Sequence, residues 1–292
     1  MCRQYSKNLF LVLLLFLMAA SLSCSTTKHF AQKIIPGGMS ELKKRILVLP
    51  FSTMAAPEWG TGAQISDDFI MLLEKDSHIL IYKPPEEESW LSGKNPELLK
   101  KAEYSGINAF VTGILYHIET RIAKKGIWPF RKHRKIYEIS MAVNIVDVTT
   151  RTMLLSNLES REVPVSLDEL QLQKEKELAD SILKKAMATI LKKQAKAVSK
   201  KLLESPFTGK ILAVENKSLT INIGKETGLK PGHYFDVFSS GESIKCANGQ
   251  AINLLGNKIG EIKVSLVMDN HSLALPVNEG PFMPGLIIRF KP

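Results

Sequence analysis

From Leu167 to Glu204 apolar residues recur at helical spacing without interruption, and Ser205-Pro206 ends the run. A helix that long must lay its apolar stripe on something, so the chain before it has to supply a sheet. On a helical wheel Leu183, Ala186, Met187, Ile190, Leu191, Ala197 and Val198 share the stripe. Lys185, Lys192, Lys193, Lys196 and Lys200 lie on another side, turned to solvent or to an anionic surface. The break at Ser205-Pro206 also separates two periodicities, which predicts a domain boundary there.

Before the break, short apolar runs alternate with helical ones. Strands are expected at RILVLPF (Arg45 to Phe51), HILIY (His78 to Tyr82) and AFVTGILYHI (Ala109 to Ile118). Ile65, Phe69, Leu72 and Leu73 predict a helix with Ser66 as N-cap. Leu98, Leu99, Ala102 and Tyr104 predict another, ending at Gly106. Tyr137, Ile139, Met141, Val143 and Ile145 alternate with polar residues, and Thr149-Thr150-Arg151 turns the chain into a strand from Thr152 to Ser160. After the break come strands at Thr208–Val214, Leu219–Ile223, His233–Phe238, Lys258–Met268, Ser272–Val277 and Leu286–Phe290, with Lys230-Pro231-Gly232-His233 as a type II turn. Closing so few strands into a barrel hides their edges. The expected fold is α+β. A three-layer-like mixed-sheet domain in β-α-β-α-β-β-β-α order spans 45–204, and a small all-β barrel spans 205–292.

Charge is local. The chain carries +10, and the stretches Ile122 to Lys135 (IAKKGIWPFRKHRK) and Lys184 to Lys201 hold six and seven cations with no acid. The first reads as a solvated loop. Trp128 and Phe130 within it, flanked by Lys124, Lys125, Arg131, Lys132, Arg134 and Lys135, suit docking on anionic lipid, cell wall or a partner protein. Lys192, Lys193 and Lys196 form a second candidate face. The six histidines show no metal-ligand spacing, and no nucleophile elbow, P-loop or dinucleotide fingerprint occurs. Ser181 and Lys184 match S-x-x-K only in form, on a helix whose pattern is already explained. The expectation is a non-enzymatic protein with no cofactor and no nucleic-acid partner.

At the amino terminus Arg3 and Lys7 precede twelve apolar residues, Leu9 to Ala20, too few to span a bilayer, and small residues lead to Cys24. Ala19-Ala20-Ser21-Leu22-Ser23-Cys24 resembles the bacterial lipobox, with Ser21 where the family usually has Leu. That resemblance implies a signal peptide over 1–23, acylation of Cys24, a tether over 24–44 and a place on the periplasmic face of the outer membrane. Cys2 then leaves with the signal, and Cys246 remains as a lone half-buried thiol. RILVLPF, NAFVTGIL and ISMAVNIVDVTTRTML resemble the periplasmic domain shared by the curli secretion lipoprotein, the lipoprotein activators of cell-wall synthases and the amino-terminal part of the Tol translocation protein. TGKILAVENKSLTINIGKETGLKPGHYFDVF with IGEIKVSLVMDNHSLALPV resembles the carboxy-terminal domain of flagellar assembly protein T, whose middle domain shares the first fold. The resemblance implies a scaffold in flagellar or other envelope assembly, with envelope proteins and further copies of itself as the partners to look for. A curli-type secretion-pore subunit and an activator of peptidoglycan synthases are the alternatives.

Mass spectrometry of protein extracted from the envelope should find residues 1–23 removed and Cys24 acylated. An unmodified Cys24 in cytosolic protein would refute the expectation.

Overall fold

A computed structural model describes residues 42–55, 61–83, 96–167, 175–216, 218–246 and 251–292. The expected signal, Cys24 and the tether as far as residue 41 lie outside them. The described residues belong to one compact unit. Its first part runs β1 (Lys44–Val48), β2 (Ser52–Thr53), α1 (Gly62–Leu73), β3 (Ile79–Tyr82), α2 (Pro96–Tyr104), β4 (Ala109–Leu115), β5 (Glu119–Lys125), β6 (Lys132–Asp147), β7 (Met153–Ser166) and α3 (Glu175–Glu204). β3, β1 and β4 are parallel; β6 pairs antiparallel with β4 and β5 along one side and with β7 along the other. The sheet is therefore mixed, as the short turns and helical crossovers require.

Strand alternation feeds two cores. Ile46 and Val48 of β1 meet α1 and α3 through Ile65, Phe69, Leu73, Leu183 and Ile190. Leu47 and Leu49 point the other way and meet Ala102 of α2, with Phe110 and Val148. Helices thus cover both faces, giving the three layers expected. The buried stripe of α3 holds the predicted Leu183, Ala186, Ile190, Leu191 and Val198 and adds Ala195 and Leu202, whereas Met187 and Ala197 are half-buried. It also holds Gln194, wholly buried, which donates to the carbonyls of Met141 (2.9 Å) and Asn157 (3.0 Å) and accepts from the Asn157 amide (2.9 Å). All its polar atoms have partners, so a polar residue is tolerated there.

The second part comprises β8 (Thr208–Glu215), β9 (Ser218–Ile221), a 3-10 turn (Lys225–Thr227), β10 (Tyr234–Lys245), β11 (Ala251–Val267), β12 (Ser272–Pro276) and β13 (Ile287–Lys291). It closes as a six-stranded antiparallel barrel in the order β10-β11-β12-β9-β8-β13. Ile211, Ile221, Phe235, Val237, Ile262 and Ile288 fill its interior. Gly232, at φ +96°, occupies the left-handed position of the expected type II turn.

Four expectations need correction. Thr61 caps α1, not Ser66: its hydroxyl accepts from the Gln64 amide while the Gln64 side chain accepts from the Thr61 amide. Ser66 sits inside the helix and donates to the Ala63 carbonyl. The expected tether over 24–44 runs too far, because Leu42 is buried in the barrel core and Lys44 begins β1. The basic stretch 122–135 is mostly strand, with β5 and β6 paired from Glu119↔Glu138 to Lys125↔Lys132. Finally, β7 continues to Ser166 and carries Pro164, which an edge strand tolerates because no neighbour needs its missing N–H.

α2 ends in a Schellman motif. The Gly106 amide donates to the Glu103 carbonyl and the Ile107 amide to the Ala102 carbonyl, with Gly106 at φ +71°. A Cβ on Gly106 would also lie 2.4 Å from the Asn222 carbonyl oxygen of the barrel. Gly106→Ala should therefore cost more than the roughly 1–2 kcal/mol of the left-handed conformation alone. Urea unfolding is the check.

Candidate functional site

Beyond Arg134, where β7 stops pairing, the sheet narrows to a ribbon of the two strands β5 and β6, which ends in the turn 126–131. The turn presents Ile127, Trp128 and Phe130, exposed by 85%, 78% and 83%. Lys124, Lys125, Arg131 and Lys132 are exposed around them, whereas Arg134 and Lys135 are half-buried farther down the ribbon. The structure thus gathers Trp128 and Phe130 with Lys124, Lys125, Arg131 and Lys132 at the tip, sets Arg134 and Lys135 apart from them, and adds Ile127. Opposed pairs place Ile122, Lys124, His133 and Lys135 on one face of the ribbon, and Ala123, Lys125, Lys132 and Arg134 on the other. Both faces carry cations. Glu162 on β7 accepts from Lys125 (3.0 Å) and also pairs with Arg121, which ties the third strand to the ribbon. The Lys125 hydrogen bond, helped by both cations, holds the Glu162 carboxyl below its usual range.

Lys192, Lys193 and Lys196 are exposed on α3, and Lys193 reaches Glu159 at 3.3 Å. They flank Gln194, which sits over Met141 and Asn157. Nine strand residues separate Met141 from Lys132, roughly 30 Å, so the lysine face and the ribbon tip are two surfaces.

At the other end of the sheet lies the junction with the barrel. Arg45 is buried. Its Nε meets Glu226 at 2.7 Å, and its Nη1 donates to the carbonyls of Ser105 and Asn222, both at 3.0 Å. Tyr82 donates to the same Glu226 oxygen at 2.5 Å; burial and that bond push its hydroxyl up to about 12. Asn108 accepts from the Arg45 amide and donates to the Thr208 carbonyl, while Asn222 donates to the Glu103 carbonyl. Glu103 also pairs with Lys210 at 2.6 Å. An open cleft of about 550 Å³ lies against this network. None of these groups was a sequence candidate. Arg45, at the head of a run that must be buried, was the available signal; its partner lies 181 positions on.

Among the described residues no His, Cys, Asp and Glu side chains gather as a metal site, and no helix is long and apolar enough to cross a membrane. Cys246 is half-buried.

No protein-family model matches the chain, and no curated protein does. Among solved structures, the hypothetical protein CT253 from Chlamydia trachomatis is similar at a TM-score of 0.38 with 16% identity, over 55% of this chain and 98% of that one. Lipoprotein GNA1162 from Neisseria meningitidis gives 0.31 and 16%, over 56% and 99%. A minor lipoprotein from Acinetobacter baumannii gives 0.29 and 7%, over 53% and 94%. At such scores the likeness fixes neither fold nor function.

Lys44 offers a test of the junction. Its ammonium donates to the carbonyls of Leu202 and Ser205, at the end of α3, and burial lowers its pKa to about 8. The unfolded chain binds that proton up to about 10.5, so between these values stability rises with pH. Urea unfolding should show a gain of about 2 kcal/mol from pH 8 to 10 that Lys44→Met lacks. Above pH 10 the raised Tyr82 acts in the opposite sense, since the unfolded chain loses that proton first.

Proposed function

We propose that this chain is a non-enzymatic lipoprotein, anchored through Cys24 to the outer membrane and facing the periplasm, which serves as a scaffold in cell-envelope assembly. The observation that carries the scaffold reading is the junction. Arg45, Asn108 and Asn222 join sheet and barrel through buried hydrogen bonds, so surfaces on the two parts keep fixed relative positions. A protein that sets the spacing of its partners needs that rigidity. The lipobox-like stretch supports the anchor. Assembly of the flagellum is the favoured setting, on the sequence resemblance of both parts taken in order. The exposed Lys192, Lys193 and Lys196 face is the candidate contact for an envelope partner, and self-association through it is a further outcome to be read.

The secretion-pore alternative fares worse on the ribbon's own residues. A crossing strand needs about 9–11 residues with one lipid-facing apolar side. β5 has seven residues, and both ribbon faces carry Lys or Arg.

A photocrosslinking residue at Lys192 in living cells should give discrete adducts with envelope assembly proteins. The purified protein should neither conduct in planar bilayers nor stimulate glycan polymerisation. Conductance would replace this reading with the pore, stimulation with the synthase activator, and a lack of adducts would remove the scaffold.

A further inference from the structure

We infer that the ribbon tip is a second membrane attachment, in which Ile127, Trp128 and Phe130 enter the headgroup region of an anionic bilayer while Lys124, Arg131 and Lys132 meet its phosphates. This rests on the anchored reading above for its cellular setting, but the contact itself depends only on residues of the folded unit.

The chemistry of the tip selects the occupant. Three large apolar side chains at the apex of a two-stranded turn are each more than three-quarters exposed. A convex apex of this kind offers no pocket to a protein side chain, yet it suits the bilayer boundary, where Trp favours the headgroup level. Lys and Arg just behind the apex lie where anionic phosphates would be, and their aliphatic stems can follow the rings inward. The Arg121 and Lys125 pairing with Glu162 holds the ribbon straight behind them.

The chain outside the structure reaches far enough for both attachments. Leu42, the first described residue, is in the barrel core, and the barrel joins the sheet at the end away from the tip. The sixteen residues of β6 measure about 50 Å from that end to the tip. Eighteen residues separate Cys24 from Leu42 and span at most about 60 Å. With both anchors engaged, the body lies along the membrane instead of hanging from it.

All the buried cores and the barrel closure lie within 42–292, so residues 38–292, which lack Cys24, serve as the test protein. In a Trp59→Phe, Trp90→Phe background, the Trp128 fluorescence should shift to the blue on vesicles of phosphatidylcholine mixed with phosphatidylglycerol. Binding should be about tenfold weaker on pure phosphatidylcholine and should fall with added salt. Trp128→Ser with Phe130→Ser should reduce sedimentation with the mixed vesicles about tenfold, and its unfolding curve should match the parent because both rings are exposed. Replacing Lys192, Lys193 and Lys196 with Gln should leave binding unchanged. The inference is overturned by an unshifted Trp128, by undiminished binding of the double variant, or by Trp128-dependent self-association without lipid. An acylated Cys24 alongside any of these results removes the second attachment and leaves the anchored scaffold standing.

Discussion

The buried guanidinium of Arg45 is the constraint on which the two halves depend. A cation taken out of water is costly unless it is paired, and here the partners come from both sides of the junction: Ser105 from the sheet part, Asn222 and Glu226 from the barrel. Removing the barrel would strand the charge. The pairing therefore contributes less to net stability than to uniqueness, since a barrel docked in another orientation would leave Arg45 unmet. Asn108 and Asn222 repeat the logic with neutral amides, each bridging backbone groups of both parts.

Gly106 shows how tightly local and long-range requirements converge. The residue that lets α2 end in a left-handed turn is also one that the barrel backbone approaches closely, so one missing Cβ serves both. Opposite this end, the ribbon has no such weld. There the sheet is held by its ladder and by the Glu162 pairs, and the apex gathers three of the most exposed large apolar side chains among the described residues.

How much of this could be read from the sequence follows from where each signal resides. Tyr137 to Ile145 alternate because one face is buried, and α3 shows its stripe for the same reason, so both elements are legible. The ribbon is not, since neither face of 122–135 packs on a core and the period of two has nothing to enforce it. β7 runs past Ser160 with Val163 and Val165 on the core, but Pro164 between them masks the strand, and the outer half of the β10–β11 hairpin buries no described side chain that would give it a pattern. The Thr61-Gly62-Ala63-Gln64 capping box was visible but lost to Ser66, whose following aspartates imitate a helix start. The junction could not be read at all. Its partners lie from 60 to 181 residues apart, and nothing in composition or spacing links Arg45 with Asn222 or Glu226.

The placement of the chain's unsatisfied surface then follows from the cores themselves. Three helices cover the sheet where its side chains are apolar, α1 and α3 on one face and α2 on the other, and coverage stops where β5 and β6 turn basic. A core residue at 128 or 130 would need a neighbouring element to receive it, yet nothing among the described residues packs there. Rings of that size left in water are tolerable only on a ribbon stiffened by its own pairing, with charges enough to keep it soluble. Arg121, Lys125 and Glu162 supply the stiffness, and the remaining cations supply the charge. The two features that let the tip remain exposed, rigidity and excess positive charge, are also those that an anionic surface would select.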